Sequence, residues 1–330
     1  MSAPGAAGAL RAEHDAPGGA FAVHLAGAGG EVAVARYLYR SDAAQLESPR
    51  PHLHPLRTPA GHEVTLYRPH DHVWHRGIAW SLPHVGPHNF WGGPTHVRGR
   101  GYVQLDNDGS MDTVEVLAAG EDGGGGARFA HQLAWHAQSG EEVVRERREL
   151  VFTAPAADAW VLTADLAMRN VSGGDLPLGS PTTNGRENAG YGGLFWRGPR
   201  SFTGGRLVTE RTAGGDELRG QRAEWMAFSG RHDGVDAAST VLLLDDRDNP
   251  QHPPQWFARS EQFAALCPAP FFSQEVPFGD GEELRFRCAV VVADGASGPE
   301  RGRELAALGR AALAAGRTGA ARGTAGAWSS

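Results

Sequence analysis

The sequence contains no lysine; all 31 of its Lys-plus-Arg positions are arginine. A Schiff-base mechanism, a pyridoxal phosphate anchor and the lysine of a phosphate-binding loop are therefore excluded. Cysteine is nearly absent as well. Cys267 and Cys288 are the only two and form no Cys-x-x-Cys pair, so one chain cannot assemble a thiolate zinc site or an iron–sulfur cluster. Cys288 falls on the apolar face of an expected strand and reads as a buried, inert thiol. No apolar run approaches the roughly eighteen residues of a membrane span, and the first residues lack a charged segment followed by an apolar one. The expectation is a soluble cytoplasmic protein. An excess of basic residues is missing too: 31 arginines face 38 Asp plus Glu, a net charge of −7. That balance argues against nucleic acid or an anionic membrane as partner.

What is abundant is glycine (46), proline (21) and, in one place, histidine. Nine of the fifteen histidines lie between His52 and His96, interleaved with Asp71, Trp74, Arg76, Asn89 and Trp91. Histidine titrates nearest neutrality and is the commonest metal ligand, so the stretch is a candidate for proton transfer, metal binding or both. Its prolines leave room only for short strands, which places most of these histidines on loops or strand ends. His72 and His75 are expected at the surface, where a single imidazole contributes little to folding.

The rest of the chain reads as β-structure. Ala20 to Ala26 and Glu31 to Tyr39 suit a hairpin, and Arg128 to His136 alternates with a period of two. Its partner, Val143 to Phe152, carries charge on both faces; it has either one solvated face or ion pairs in a polar cleft. In Trp160 to Arg169 the residues Trp160, Leu162, Ala164, Leu166 and Met168 share a core face, and Glu283 to Val292 alternates in the same way. Only Pro299 to Ala315 reads as a helix. The fold expected is all-β, a large two-sheet β-sandwich with a short C-terminal helix. A single domain over 16–316 would be flanked by disordered ends, 1–15 and 317–330.

A second notable stretch is PTTNGRENAGYGGLFWRGPR, residues 181–200. Its glycines permit close approach of backbone to a ligand, while Asn184, Arg186, Glu187, Asn188, Tyr191, Trp196 and Arg197 supply polar groups and aromatic faces. The mixture suits a sugar better than a nucleotide, since no dinucleotide fingerprint is present.

His54-Pro55 with Arg57-Thr58-Pro59 and Gly61, then Asp71-His72 with His75-Arg76-Gly77, and later Asn188 through Arg197, resemble the methane oxygenase PmoA-like family of bacterial proteins. The resemblance covers roughly residues 30 to 295. Members often carry a further histidine where this chain has Trp74. A membrane subunit of a methane monooxygenase needs several spanning helices, which this sequence does not contain. The resemblance implies instead a galactose-mutarotase-like supersandwich whose concave sheet holds a carbohydrate, and a place in sugar catabolism.

Three functions stand on these residues. The first is an enzyme acting on a sugar or oxidised sugar by acid/base chemistry, as an epimerase, lyase or hydrolase. His72 and His75 would exchange protons, Asp71 would hold one imidazole in its tautomer, Arg76 would stabilise an oxyanion or bind a carboxylate, and Glu187 would oppose them. Arg57, Asn89, Trp91, Asn184, Arg186, Asn188 and Tyr191 are the candidate sugar-binding residues. The second is a carbohydrate-binding protein without catalysis, using aromatic rings to stack on sugar faces. The third is a metal-dependent oxygenase in which His54, His70, His72 and His75 supply the ligands of a divalent metal.

Overall fold

The computed structural model describes residues 8–27 and 30–320. Among them, two large antiparallel sheets stack face to face. The first has ten strands. Its main path runs Leu10–Asp15, Ala20–Gly27, Gly30–Leu38, His52–Leu56, Ile78–Val85, Gly193–Arg197, Ala265–Ala269 and Gln255–Arg259. The second has nine, with Glu283–Asp294, Ala159–Asn170, Glu142–Ala156 and Ala127–His136 side by side and Ser110–Glu121 at one edge. Alternation puts Trp160, Leu162, Phe286 and Val290 of the second sheet against Ile78, Trp80, Leu194 and Trp196 of the first, in one continuous apolar core. The fold is thus the all-β two-sheet sandwich with a C-terminal helix that the period-two runs predict.

The charged strand resolves by the same alternation. In Glu142–Ala156, Arg145, Arg147 and Glu149 face outward, while Glu146 and Arg148 point between the sheets. There Arg148 Nε and Nη2 donate to Glu146 at 2.6 and 2.8 Å, Trp135 Nε1 donates to Glu146 Oε2 at 2.8 Å, and Tyr37 lies within reach of Arg148. One face is solvated and the other holds an ion pair sealed in the core.

The two outer faces differ. On the nine-stranded sheet, Val161, Leu242, Leu244, Ala289 and Val291 are covered by the helix Pro299–Ala320 through Leu305, Ala306 and Leu313. The helix runs five residues beyond its expected end, over part of the presumed tail; positions 321–330 and 1–7 lie outside the described residues. At the other end Leu10–Asp15, expected to be disordered, pairs with Ala20–Gly27 from Leu10↔Leu25 to Asp15↔Ala20, because Leu10 finds a buried place in the core. No helix of the described residues is long and apolar enough to cross a membrane. Both cysteines are buried and unpaired, and burial pushes the Cys267 thiol up to about 12.

Candidate functional site

Among the described residues the outer face of the ten-stranded sheet carries no α-helix, and the histidine segment folds onto it. Between His52–Leu56 and Ile78–Val85 the chain makes two successive turns: the His72 amide donates to the Pro69 carbonyl and the His75 amide to the His72 carbonyl, each at 2.9 Å. The Leu66 amide then donates to the Arg197 carbonyl and the Arg197 amide to the Gly77 carbonyl, fastening the loop to the strand Gly193–Arg197. Gly77 has φ 51°, and a Cβ there would stand 2.1 Å from the Leu53 carbonyl oxygen. Only glycine fits at the end of the Asp-His-x-x-His-Arg-Gly block.

The turns stack the rings of His72 and His75, with centroids 4.7 Å apart and planes 21° from parallel. His75 is buried, edge-on to Trp91 at 5.7 Å and tilted on Phe195 at 4.8 Å. Trp74 lies over the Trp91 loop. At Gly93 (φ 69°) a Cβ would meet its indole at 2.8 Å. Asn89 shapes that loop: its Oδ1 accepts from the amides of Trp91 and Gly92, and its Nδ2 donates to the Gly93 carbonyl and Thr95 Oγ1.

Together these groups wall a cavity of about 280 Å³, near the lower limit for small-molecule sites. His72 and His75 stand on one side with Trp74 and Trp91. Tyr191, Phe195, Phe257 and Phe263 continue the aromatic wall, and Tyr102, Arg186, Arg259 and Gln262 complete it. Two further concavities, one around Arg285 and Arg317 and one around Arg222 and Gln251, contain none of the expected site residues and no aromatic ring. The aromatic cavity is where sequence and structure converge.

Its electrostatics favour neutral imidazoles. Burial is the main force lowering both histidines. For His75 the neighbouring His72 and Arg197 push further down; for His72 the adjacent Asp71 pulls back. Asp71 Oδ2 is 3.2 Å from His72 Nδ1, close enough for charge attraction, although the N–H direction does not make a well-aligned hydrogen bond. Burial opposes ionisation of Asp71, but its own backbone amide, the nearby His72 ring and the hydrogen bond from Arg200 outweigh it and hold the carboxyl at about 2. The Arg200 contact is 2.8 Å. On the far wall the Tyr102 and Tyr191 hydroxyls are 2.8 Å apart, and Arg186 donates to Tyr102.

Other expected site residues sit elsewhere. Arg76 is buried and bonded to Glu47 Oε2 at 2.7 Å, within an ion-pair group that includes Arg68, so it is not free for an oxyanion. Glu187 and Asn188 are exposed on a turn outside the cavity, and Asn184 bonds to His84 at 3.1 Å. Arg57 pairs with Glu63 at 3.4 Å. His54 faces Thr65 and stacks on Tyr67, whereas His70 lies beside Arg200 at 3.3 Å. The expected four-histidine metal set is therefore not assembled. Among the described residues no three His, Cys, Asp or Glu side chains converge to hold a metal ion. His75 also departs from expectation, since the turn folds its ring inward rather than to the surface.

Phe257, Arg259, Phe263 and Tyr102 were not expected. From the letters alone Gln251 to Phe257 reads as a Pro-rich loop, yet Gln255–Arg259 is a strand with Trp256 and Ala258 in the core and Phe257 and Arg259 on the cavity side. Its period-two pattern, Trp-Phe-Ala-Arg, was the available signal.

A family model described as "Family of unknown function (DUF6807)" matches residues 25–307. Among curated proteins no sequence matches. Solved structures with a similar chain path include heparan sulfate lyase HepC from Pedobacter heparinus and a mutant of it. The mutant aligns at 7% identity and a TM-score of 0.37 over 87% of this chain and 37% of its own; the other aligns at 6% and 0.36 over 85% and 36%. The chain thus spans little more than a third of the length of these lyases, and nothing about its chemistry follows from them.

Proposed function

We propose that this chain, which belongs to the family of unknown function (DUF6807), is a carbohydrate-active protein that performs acid/base chemistry on a sugar or sugar derivative in the aromatic cavity, with His72 as the proton-exchanging group. The observation that carries this reading is the stacked His72–His75 pair set into a wall of Trp74, Trp91, Tyr191 and Phe263. Aromatic faces of that kind match the C–H faces of a pyranose, and each ring presents a large apolar surface at low entropic cost. His72 is half-exposed at the cavity while Asp71, ionised at all ordinary pH, sits beside Nδ1. A neutral imidazole there accepts a proton through Nε2, and the carboxylate stabilises the imidazolium that forms. His75, buried behind it, keeps the ring in place and disfavours a second positive charge. The residues that resemble the PmoA-like family, Asp71 to Gly77, are those that build this corner, which supports a role in sugar catabolism.

The test is turnover of a panel of aldoses, ketoses, sugar acids and glycosides by the wild type and by His72→Asn. The expected result is one substrate class converted, a loss of about 100-fold or more in kcat/KM for His72→Asn, and an acidic limb below the ordinary histidine range. Binding without turnover would leave a carbohydrate-binding protein. Full activity of His72→Asn would place the chemistry elsewhere.

A further inference from the structure

Arg197 is fully buried, and none of its three guanidinium nitrogens has a hydrogen-bond partner among the described residues. Alternation explains where it points. In the strand Gly193–Arg197, Leu194 and Trp196 enter the core between the sheets, so Phe195 and Arg197 project from the cavity face, and Phe195 lines the cavity. Two strands away, Arg259 does the same beside Phe257. Both arginines pair in register with Ala265, Arg197↔Ala265 on one side and Arg259↔Ala265 on the other, so they flank one small residue across the sheet. The Phe263 ring covers them, 3.8 Å from Arg197 Cζ and 5.7 Å from Arg259 Cζ. A ring shields a guanidinium's face but uses none of its in-plane N–H groups.

We infer that Arg197 and Arg259 form a carboxylate-binding subsite beneath Phe263, and that the ligand of the cavity is an acidic sugar or sugar derivative. This rests on the carbohydrate reading above for the word sugar, and on geometry alone for the word acidic. In a chain of net charge −7, the described residues lining this cavity include Arg186 and Arg259 and no aspartate or glutamate. The acids whose charge acts on Arg197 and Arg259 are engaged elsewhere, Asp71 with Arg200, and Asp216 with Arg219 and the Ser260 amide. A buried guanidinium with unspent donors is costly, and a carboxylate answers its planar fork in two bonds. Burial drives Arg197 down to about 10, which still leaves it charged at neutral pH. Phe263 is half-buried, in the bend between the strands Gln255–Arg259 and Ala265–Ala269, and must swing aside to admit the anion.

The experiment measures binding through the fluorescence of Trp74 and Trp91, using glucose, glucuronate and the non-sugar acid tartrate, on wild type and Arg197→Met. Glucuronate is expected to bind the wild type about tenfold or more tighter than glucose, and Arg197→Met to erase that preference while leaving glucose binding unchanged. Thermal stability of Arg197→Met should be equal or higher, because an unpaired buried charge is replaced by an apolar chain. A structural arginine would give the opposite. If glucuronate and glucose bind wild type equally, or the variant keeps the preference, the subsite does not exist. If tartrate binds in an Arg197-dependent way and neither sugar does, the anion subsite stands and the carbohydrate reading falls.

Discussion

Lowering the pH should destabilise this protein chiefly through its histidines, because they are buried uncharged. His52 lies in the core-facing strand with Nδ1 on the Arg50 carbonyl, and burial holds it down to about 3. His54 and His84 are each held to about 4, again chiefly by burial. His75 and His131, both fully buried, are lowered well below the ordinary value. In the unfolded chain all five take up protons near the ordinary histidine value of about 6.5. A depressed histidine gives stability that is present above that value and lost as pH falls toward the folded one. Three acids work the other way: Asp108 is raised to about 7, and Asp245 and Glu63 are raised, all mainly by burial, so the native state holds their protons longer. Near pH 5, these five protons favouring the unfolded state against at most three favouring the native state leave an imbalance of at least two, or about 3 kcal/mol per pH unit. Since domains are stable by only about 5 to 15 kcal/mol, two pH units should remove much of that stability. Urea midpoints at pH 7.5, 6.5 and 5.5, on the order of one pH unit apart, give the slope directly. A midpoint that is flat or rises across that range refutes the reasoning, since it would mean the imidazoles are charged or exposed in the native state.

Two further outcomes concern stability at neutral pH. Glu146→Leu should cost about 3 to 5 kcal/mol by leaving Arg148 charged between the sheets, whereas Glu146→Leu with Arg148→Met should recover most of that loss; denaturation of the two variants showing equal destabilisation would contradict the sealed pair. His75→Ala should cost about 1 to 3 kcal/mol, for a buried ring packed between Trp91 and Phe195, while His72→Ala should stay within about 1 kcal/mol. Equal losses for both would mean that His72 is as much a packing residue as His75.

The fold was largely legible because alternation is a local signal. Trp160 through Met168 and Leu284 through Val292 announce which face is buried, and the structure places both in the core as read. The strand Leu10–Asp15 was not legible, since Arg11, Glu13 and His14 hide its period and only pairing with Ala20–Gly27 makes it a strand. Around the candidate cavity, spacing picked out His72, His75, Trp91, Arg186 and Tyr191, which all line it. It failed for Arg76, Arg57 and Asn184, whose partners Glu47, Glu63 and His84 come from tertiary contacts that composition does not reveal. Histidine density misled in part. His52, His54 and His84 are packed against Tyr67 or Asn184 as neutral, satisfied rings, which is a use of histidine that looks identical to catalysis when only the letters are visible.

The two outer faces of the sandwich show why the site lies where it does. On the nine-stranded sheet the outward residues are small and aliphatic, Ala289, Val291, Ala293 and Val161, and a helix with Leu305, Ala306 and Leu313 lies flat on them. On the ten-stranded sheet the equivalent outward positions are Phe195, Arg197, Phe257 and Arg259, too bulky and too charged for a helix to close over. Loops cover that face instead, and they meet imperfectly, leaving the cavity. An outward arginine on a central strand is unfavourable wherever the face is buried by protein alone, and Arg197 is buried with its donors unspent. The asymmetry is accounted for if the third layer on this side is partly supplied by a ligand, with the aromatic rings against its apolar faces and the arginine donors toward its charge.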